Sequence, residues 1–319
     1  MNVQVGQIPT VDEWLRIKGL GVILRKFRPT GDIVRWTVKQ IREHEASQTD
    51  GHSRPDFLSR FIKAKEKYPD IMTEALLEEY ANTNVSAGSD TTAIALRELV
   101  YRILTHPGSY DRFMGEVKAT LAARPLDENY DRPITWVEGN KMPYFQALVK
   151  ECLRVHSALG QLIPRDVPEG GATICGKFLP AGTVVGCNAW TVHRDKNIYG
   201  PDADEFRPER WLAEDKEYVR RMENLSFAFG GGPRVCIGKN IAMLEINKFI
   251  PEFFRRFNIE LVDPKRYKLR PGWLVLQSGL DSRITLRDPD SLLVQKGDHL
   301  PTLEAVSPAS NLGAALSAA

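Results

Sequence analysis

Apolar residues recur along the chain at two different spacings, which separate a helical part from a shorter strand-rich part. Helical spacing predicts helices over 30–46, 72–104, 110–122, 143–155 and 241–257. The longest of these is expected to start at the cap residue Thr73 and to stop before His106 and Pro107.

Between 164 and 191 the pattern changes, because glycine and proline turns separate short apolar stretches. This pattern predicts β-strands and hairpins. An alternation of apolar and polar residues over 269–286 predicts a terminal hairpin. A coil rich in Pro and Asp over 201–211 and a glycine-rich loop over 226–238 complete this part of the chain.

Beyond Arg287 the sequence becomes low in complexity and is predicted to be disordered. We therefore expect one mainly α domain with a small β region over 1–287, followed by a tail over 288–319.

Composition and charge exclude several classes of protein. Hydrophobic residues make up 42% and charged residues 26%, as in ordinary globular domains. The net charge of +2 gives no overall field for nucleic acid, so no nucleic-acid partner is expected. Apolar runs are far shorter than the roughly 18–20 residues that cross a bilayer. The first residues also lack the pattern of a signal peptide.

The cysteines are too widely spaced for the common cysteine motifs. Cys152, Cys175, Cys187 and Cys236 form no CxxC pair, which argues against a zinc ribbon, a thioredoxin-like site and covalent haem attachment. Four thiols in 319 residues do not make a disulfide scaffold either, so a reducing compartment is expected.

The strongest chemical signal is the segment FAFGGGPRVCIGKNIA, residues 227–242, in which a glycine-rich loop leads Cys236 into a helix. The positive end of that helix and the nearby Arg234 favour a thiolate, which is a ligand for a soft metal centre such as haem iron. A lone cysteine is more often a small buried apolar residue. A phosphate-binding P-loop is excluded, because Pro233 and Asn240 stand where that motif needs Gly and Ser or Thr.

Several motifs in order resemble those of the cytochrome P450 monooxygenases. Phe229, Gly232, Arg234, Cys236 and Gly238 stand at the spacing of the family's haem-binding signature. The segment 87–92, AGSDTT, is similar to its oxygen-activation groove, and 151–154, ECLR, is similar to its ExxR motif. The segment 206–211, FRPERW, resembles the family's PERF stretch, with Trp where Phe is commoner. The amino-acid sequence of residues 167–195 looks most like that of the fungal branch typified by pisatin demethylase.

The resemblance implies a haem site with defined residues. Heme b would be held by the sulfur of Cys236, with Arg234 paired with a haem propionate. By the same resemblance, Arg165 is expected to hold a propionate too. For Arg165, a surface arginine at the end of a strand is an equal alternative. The remaining residues expected against the cofactor are Phe229, Gly230, Gly232, Gly238, Ala87 and Gly88.

Two further groups have roles implied by the resemblance. Thr91 and Asp90 would assist oxygen activation by hydrogen bonding and proton relay, in a helix expected to open locally. The alternative is that residues 89–92 cap the start of a new helix. Glu151 and Arg154 would join Arg210 in a buried network that braces the Cys236 loop. His156 and His193 are expected to make ordinary polar contacts.

The expected function is insertion of one oxygen atom into a small apolar organic substrate, such as a fungal secondary metabolite. Dioxygen and NADPH-cytochrome P450 reductase are the implied partners. The resemblance runs from about Gly6 to Arg287 and covers only the C-terminal part of the P450 fold, so an N-terminally truncated form is expected. A non-catalytic remnant with weak or no haem binding is therefore the alternative. Complete relatives are anchored in the endoplasmic reticulum membrane, whereas this sequence shows no anchor and is expected to be cytoplasmic or peripheral.

Overall fold

Helices form most of the structure. The computed structural model describes residues 31–48, 56–125 and 132–292. The helices within these ranges are α1 Asp32–Gln48, α2 Phe57–Lys67, α3 Glu74–Thr105, α4 Ser109–Ala122, α5 Trp136–Asn140, α6 Pro143–Val155, α7 Ala189–Val192, α8 Lys196–Tyr199, α9 Lys216–Asn224 and α10 Lys239–Arg256. The predicted mainly α fold with a small β region is confirmed.

The ends of the long helices follow from local chemistry. The side chain of Thr73 accepts a hydrogen bond from the backbone N–H of Leu76 at 3.3 Å, which confirms the predicted cap of α3. At its other end, His106 is extended ahead of Pro107. Helix α6 starts at Pro143, whose missing N–H is not needed in the first turn.

The core lies where the second half of α3 packs against α4, α6 and α10. Apolar residues at helical spacing on each of these helices face one another and are removed from water, which is the main source of stability. The fully buried members include Leu99, Ile103, Phe113, Phe145, Leu148, Ile250 and Phe254. This packing joins the helix that carries residues 87–92 to the helix that follows Cys236.

The strands form small antiparallel pairs. They are β1 Ile163–Asp166, β2 Ala172–Ile174, β3 Lys177–Leu179, β4 Val184–Cys187, β5 Phe257–Leu261, β6 Lys268–Arg270, β7 Leu276–Ser278 and β8 Ser282–Leu286. In register, Ile163 lies opposite Cys187 and Ala172 opposite Leu179. Strands predicted between 164 and 191 are therefore present.

The predicted terminal hairpin over 269–286 is only partly right. Strands β6 and β7 do form a hairpin, but β8 pairs with β5, with Phe257 opposite Leu286. Phe257 itself is extended rather than helical, so α10 ends one residue earlier than expected. The turn at Gly279 has φ +78° and lies so close to the carbonyl of Arg266 that an added Cβ would be 2.0 Å from its oxygen.

The chain continues in an ordered form past the expected domain boundary at Arg287. A 3-10 turn spans Pro289–Leu292, and the side chain of Leu292 is buried in the main core cluster. The rest of the predicted tail, residues 293–319, lies outside the described residues.

None of the helices in the described ranges is long and apolar enough to cross a membrane.

Candidate active site

The loop that carries Cys236 is shaped by its own backbone hydrogen bonds. The N–H of Cys236 donates to the carbonyl of Phe229 at 2.9 Å, and the N–H of Gly230 donates to the carbonyl of Phe227 at 3.0 Å. Within the loop, the N–H of Val235 donates to the carbonyl of Gly232 at 3.1 Å. The loop therefore closes on itself immediately before α10 and leaves the Cys236 side chain exposed.

Glycine is required at two turns of this loop. Gly230 and Gly232 have φ of +73° and +65°, a left-handed conformation that is costly for other residues. No heavy atom lies within 4 Å of an added Cβ at Gly232, so the space beside it is open. An added Cβ at Gly238 would lie 3.8 Å from the sulfur of Cys236.

The surroundings of Cys236 suit a large metal-bearing cofactor better than a bare ion. No group of three or more His, Cys, Asp or Glu residues able to hold a metal occurs in the described part of the chain. A metal at Cys236 would therefore bring its other ligands with it. The side chains on either side are apolar, and Val235 is 47% and Ile237 98% exposed. A soft sulfur among exposed apolar groups and open glycines fits haem.

The motif at 87–92 lies inside an unbroken helix. Helix α3 runs from Glu74 to Thr105 without interruption, so the expected local opening is not seen and the alternative of a new helix start is wrong. The Thr91 hydroxyl donates a hydrogen bond to the carbonyl of Ala87 at 2.7 Å, so its donor is already paired within the helix. Ala87, Gly88 and Asp90 are exposed.

Small residues leave open space along this part of α3. No heavy atom outside the helix lies within 4 Å of an added Cβ at Gly88. The exposed face is consistent with a ligand lying against Ala87 and Gly88, and this contact stays a prediction.

The predicted network of Glu151, Arg154 and Arg210 is present and buried. Glu151 accepts hydrogen bonds from Arg154 Nη2 at 2.7 Å and from Arg210 Nε at 3.0 Å. It also accepts one from Trp211 Nε1 at 2.8 Å and one from the N–H of Arg207 at 2.7 Å. Burial alone would raise the pKa of Glu151, but the hydrogen bond and charge of Arg154 and the charge of Arg210 outweigh burial and lower it.

The two arginines of the network also fix the coil predicted over 201–211. Arg154 donates to the carbonyls of His193 and Glu205, both at 2.7 Å. Arg210 donates to the carbonyl of Asp202 at 3.0 Å. Because these carbonyls come from separate turns, each guanidinium joins segments that are distant in sequence. Part of this coil is a 3-10 helix, Pro208–Leu212.

His193 connects the network to the Cys236 loop, a role that its sequence context did not indicate. It is fully buried, and its Nδ1 lies 2.9 Å from the carbonyl oxygen of Arg154. Its Nε2 accepts a hydrogen bond from the N–H of Phe227 at 2.8 Å. The expected polar contact is therefore present, and it reaches the loop that the network was expected to brace.

A second buried charged cluster was missed by sequence reasoning. Glu98 on α3 lies 2.8 Å from His156 Nδ1 and accepts hydrogen bonds from Arg102 Nε at 2.8 Å and from the Tyr267 hydroxyl. His156 Nε2 lies 2.8 Å from the carbonyl of Val275. Burial would raise the pKa of Glu98, but the hydrogen bond from His156 and the charge of Arg102 lower it to about 2. The cluster ties α3 and α6 to the β6–β7 hairpin.

The arginines expected at haem propionates are exposed. Arg165 lies in β1, where its Nη1 donates to the carbonyl of Pro164 at 2.7 Å. Arg234 ends the short 3-10 turn Gly232–Arg234. Phe229 is partly buried, with the ammonium of Lys239 5.8 Å from its ring centroid. Contact of these residues with haem stays a prediction.

A mainly α fold with an exposed cysteine on a hydrogen-bonded glycine loop is the arrangement of haem-thiolate proteins. Residues 7–281 match the family model described as Cytochrome P450, and the chain therefore belongs to the cytochrome P450 family. Members of this family hold haem through a cysteine thiolate.

Curated relatives are fungal proteins of the same family. A cytochrome P450 monooxygenase of Aspergillus terreus is 44% identical over 225 residues, which cover 70% of this chain and 45% of that protein. The cytochrome P450 monooxygenase cicH of Emericella nidulans is 40% identical over 260 residues, 80% of this chain and 51% of that protein. The chain thus spans about half the length of the curated relatives it matches.

Proposed function

We propose that the protein is a haem-dependent monooxygenase that inserts one atom of dioxygen into a small organic substrate. The other oxygen atom leaves as water, with two electrons delivered by NADPH-cytochrome P450 reductase. The observation that carries this proposal is the exposed Cys236 sulfur, presented beside open space by a self-closed glycine loop. The fungal relatives are named monooxygenases, which supports the same reaction class.

Heme b is the proposed cofactor, and the sulfur of Cys236 would hold its iron. When bound, haem supplies the reductive activation of dioxygen that the insertion requires. Val235 and Ile237 are apolar side chains that would exclude water around the sulfur once covered, and Gly232 leaves room for a flat ring. Arg234 and Arg165 are the proposed cations for the propionates.

Asp90 and Thr91 are the proposed groups for proton handling. The Thr91 hydroxyl donates its hydrogen bond to the Ala87 carbonyl, so the lone pairs of its oxygen can still accept a hydrogen bond. The neighbouring Asp90 carboxylate is exposed, so it can take a proton from solvent. On the exposed face of α3, Asp90 would relay protons from solvent and the Thr91 oxygen would accept a hydrogen bond.

The proposed substrate is a small apolar molecule of fungal secondary metabolism, in a pisatin demethylase-like branch of the family. This substrate class is supported by the fungal relatives and by the amino-acid sequence of residues 167–195.

Absorption spectroscopy tests the haem assignment. The purified chain is mixed with hemin, reduced with dithionite and exposed to carbon monoxide, and the red-shifted Soret band of thiolate ligation is expected. Cys236→Ser should abolish that band. Cys187→Ser is the matched control, because Cys187 is also exposed and lies in β4 rather than in the loop. A wild-type chain without the thiolate band overturns the proposal and leaves a non-catalytic remnant as the better account. An unchanged band in Cys236→Ser overturns the assignment of Cys236 as the haem ligand.

A further inference from the structure

His193 occupies a buried position between the carboxylate network and the loop that carries Cys236. Its ring is inaccessible to solvent, with the backbone carbonyl of Arg154 on one side and the backbone N–H of Phe227 on the other. The carbonyl of His193 itself accepts a hydrogen bond from Arg154 Nη1 at 2.7 Å. The residue is therefore held at both its backbone and its ring.

These two ring contacts define one protonation state. A carbonyl can only accept and an amide N–H can only donate, so the ring carries its proton on Nδ1 and leaves Nε2 bare. An imidazolium has no free lone pair for Phe227.

The charged groups around His193 favour the neutral ring. Burial lowers the pKa of His193 from 6.5 to about 4. The backbone hydrogen bond to Arg154 raises it, while the positive charges of Arg154 and Arg194 lower it and the carboxylate of Glu151 raises it. The ring of Tyr199 also meets the imidazole edge to face, with 6.0 Å between the ring centroids.

The contact with Phe227 leads directly to the sulfur-bearing residue. The carbonyl of Phe227 accepts from the N–H of Gly230, and the carbonyl of Phe229 accepts from the N–H of Cys236. Fixing the amide of Phe227 therefore fixes the first turn of the loop, on which the position of Cys236 depends.

We propose that His193 is a positioning residue for Cys236, which holds the loop through a hydrogen bond that only the neutral imidazole can accept. This inference rests on the proposed haem-thiolate function, but the loop contact itself exists without haem. Two variants separate the effect of the hydrogen-bond acceptor at position 193 from the effect of side-chain volume. His193→Leu fills the site without an acceptor, whereas His193→Gln offers an amide oxygen to Phe227.

Hydrogen exchange on the haem-free chain gives the first test. Loss of one hydrogen bond is expected to speed exchange of the 226–238 amides about tenfold in His193→Leu. His193→Gln should stay within about threefold of wild type. His156→Leu is the matched control, because it removes an equally buried histidine that does not contact the loop. Equal loop exchange in His193→Leu and wild type, or equal acceleration in His156→Leu, overturns the proposal.

A pH titration of the hemin-loaded, carbon monoxide-bound chain gives the second test. The thiolate Soret band of wild type is expected to decline as the pH falls through about 4, the pKa at which His193 in the folded chain gains a proton. In His193→Gln, which has no ring to protonate, the band should persist to lower pH. Identical titrations of these two proteins overturn the proposal. A missing thiolate band in wild type defeats the proposed function instead, and hydrogen exchange still decides the role of His193.

Discussion

Trp211 donates its indole N–H to Glu151 across 2.8 Å, and both side chains are buried. The commoner phenylalanine at this position of the motif has no donor, so the tryptophan gives the carboxylate one more partner than the family's usual residue does. The same ring also packs against Tyr199, with 6.3 Å between centroids.

Trp211→Phe is therefore expected to lower the free energy of unfolding by about 1–2 kcal/mol, because it removes one hydrogen bond to a buried carboxylate and some apolar contact. Chemical denaturation followed by circular dichroism measures the difference. Trp136→Phe is the control, since Trp136 is 43% exposed and its replacement should change stability by less than about 0.5 kcal/mol. Equal effects of the two substitutions would contradict this role for the indole.

Glu151→Gln is expected to be far more harmful, because it leaves Arg154 buried without its carboxylate and leaves Arg210 with Asp202 alone, 3.2 Å from its Nη1. Removing one member of a buried ion pair costs roughly 3–5 kcal/mol. The control is Glu223→Gln, which breaks the half-exposed pair with Lys150 and should cost at most about 1 kcal/mol. The same denaturation assay compares the two variants. A similar loss of unfolding free energy in both would show that the buried Glu151 network costs no more to break than a half-exposed ion pair.

Acid stability should depend on Glu98. The pKa of this carboxyl in the folded protein is about 2, below its ordinary value of 4.5, so its ionised form is favoured by folding. Its contribution is therefore present above pH 4.5 and is lost as the pH falls from 4.5 towards 2. Glu98→Gln removes this titration, and the free energy of unfolding should fall less steeply over that interval.

Urea denaturation at a series of pH values measures the slope for Glu98→Gln. Glu79→Gln is the control, because Glu79 lies exposed on the same helix. Parallel pH profiles for wild type and Glu98→Gln would be the contrary outcome.

Gly139 has no side chain, which allows α5 to lie in close contact with α10. An added Cβ there would lie 2.4 Å from the backbone oxygen of Asn247, so Gly139→Ala must push the two helices apart. We expect a loss of about 1–3 kcal/mol, seen as a lower melting temperature. Gly115→Ala, in a helix with no neighbouring atom within 4 Å, should instead stabilise by about 0.5–1 kcal/mol. A melting temperature that rises in both variants would rule out the close approach.

Thr91→Ala tests the proposed proton handling. Its hydroxyl makes one hydrogen bond within the helix, so the variant should fold and retain the thiolate Soret band. Without that oxygen, more of the reducing equivalents should be released as hydrogen peroxide. Peroxide formed per NADPH consumed, in the presence of the reductase, is the measurement. Thr83→Ala, on the exposed part of the same helix, is the control, and equal peroxide yields would contradict the role of Thr91.

Much of the helical structure could be predicted because its signals are local. The bounds of α6 agree with the apolar periodicity, and the cap at Thr73 is where the sequence places it. The cysteine loop was also visible, since its glycines and the following helix are contiguous. In such segments each residue's conformation is set mainly by its near neighbours.

The rest depends on partners that are distant in sequence. The alternation over 269–286 shows a strand but cannot show that β8 pairs with β5 rather than with β7. The contact between His193 and Phe227 joins residues from different turns and leaves no periodic signal. Glu98 and His156 likewise meet only after α3 and α6 pack. Local patterns therefore indicated the elements, whereas buried polar contacts emerged only from packing.

Leu292 has a practical consequence for making the protein. Its side chain is 2% exposed and closes the main core beyond the point where the sequence becomes low in complexity. Trimming at Arg287, the boundary that composition suggests, would remove Leu292 and expose apolar core residues, which favours aggregation. A purification tag or protease site is better introduced after position 292, where the core is already sealed.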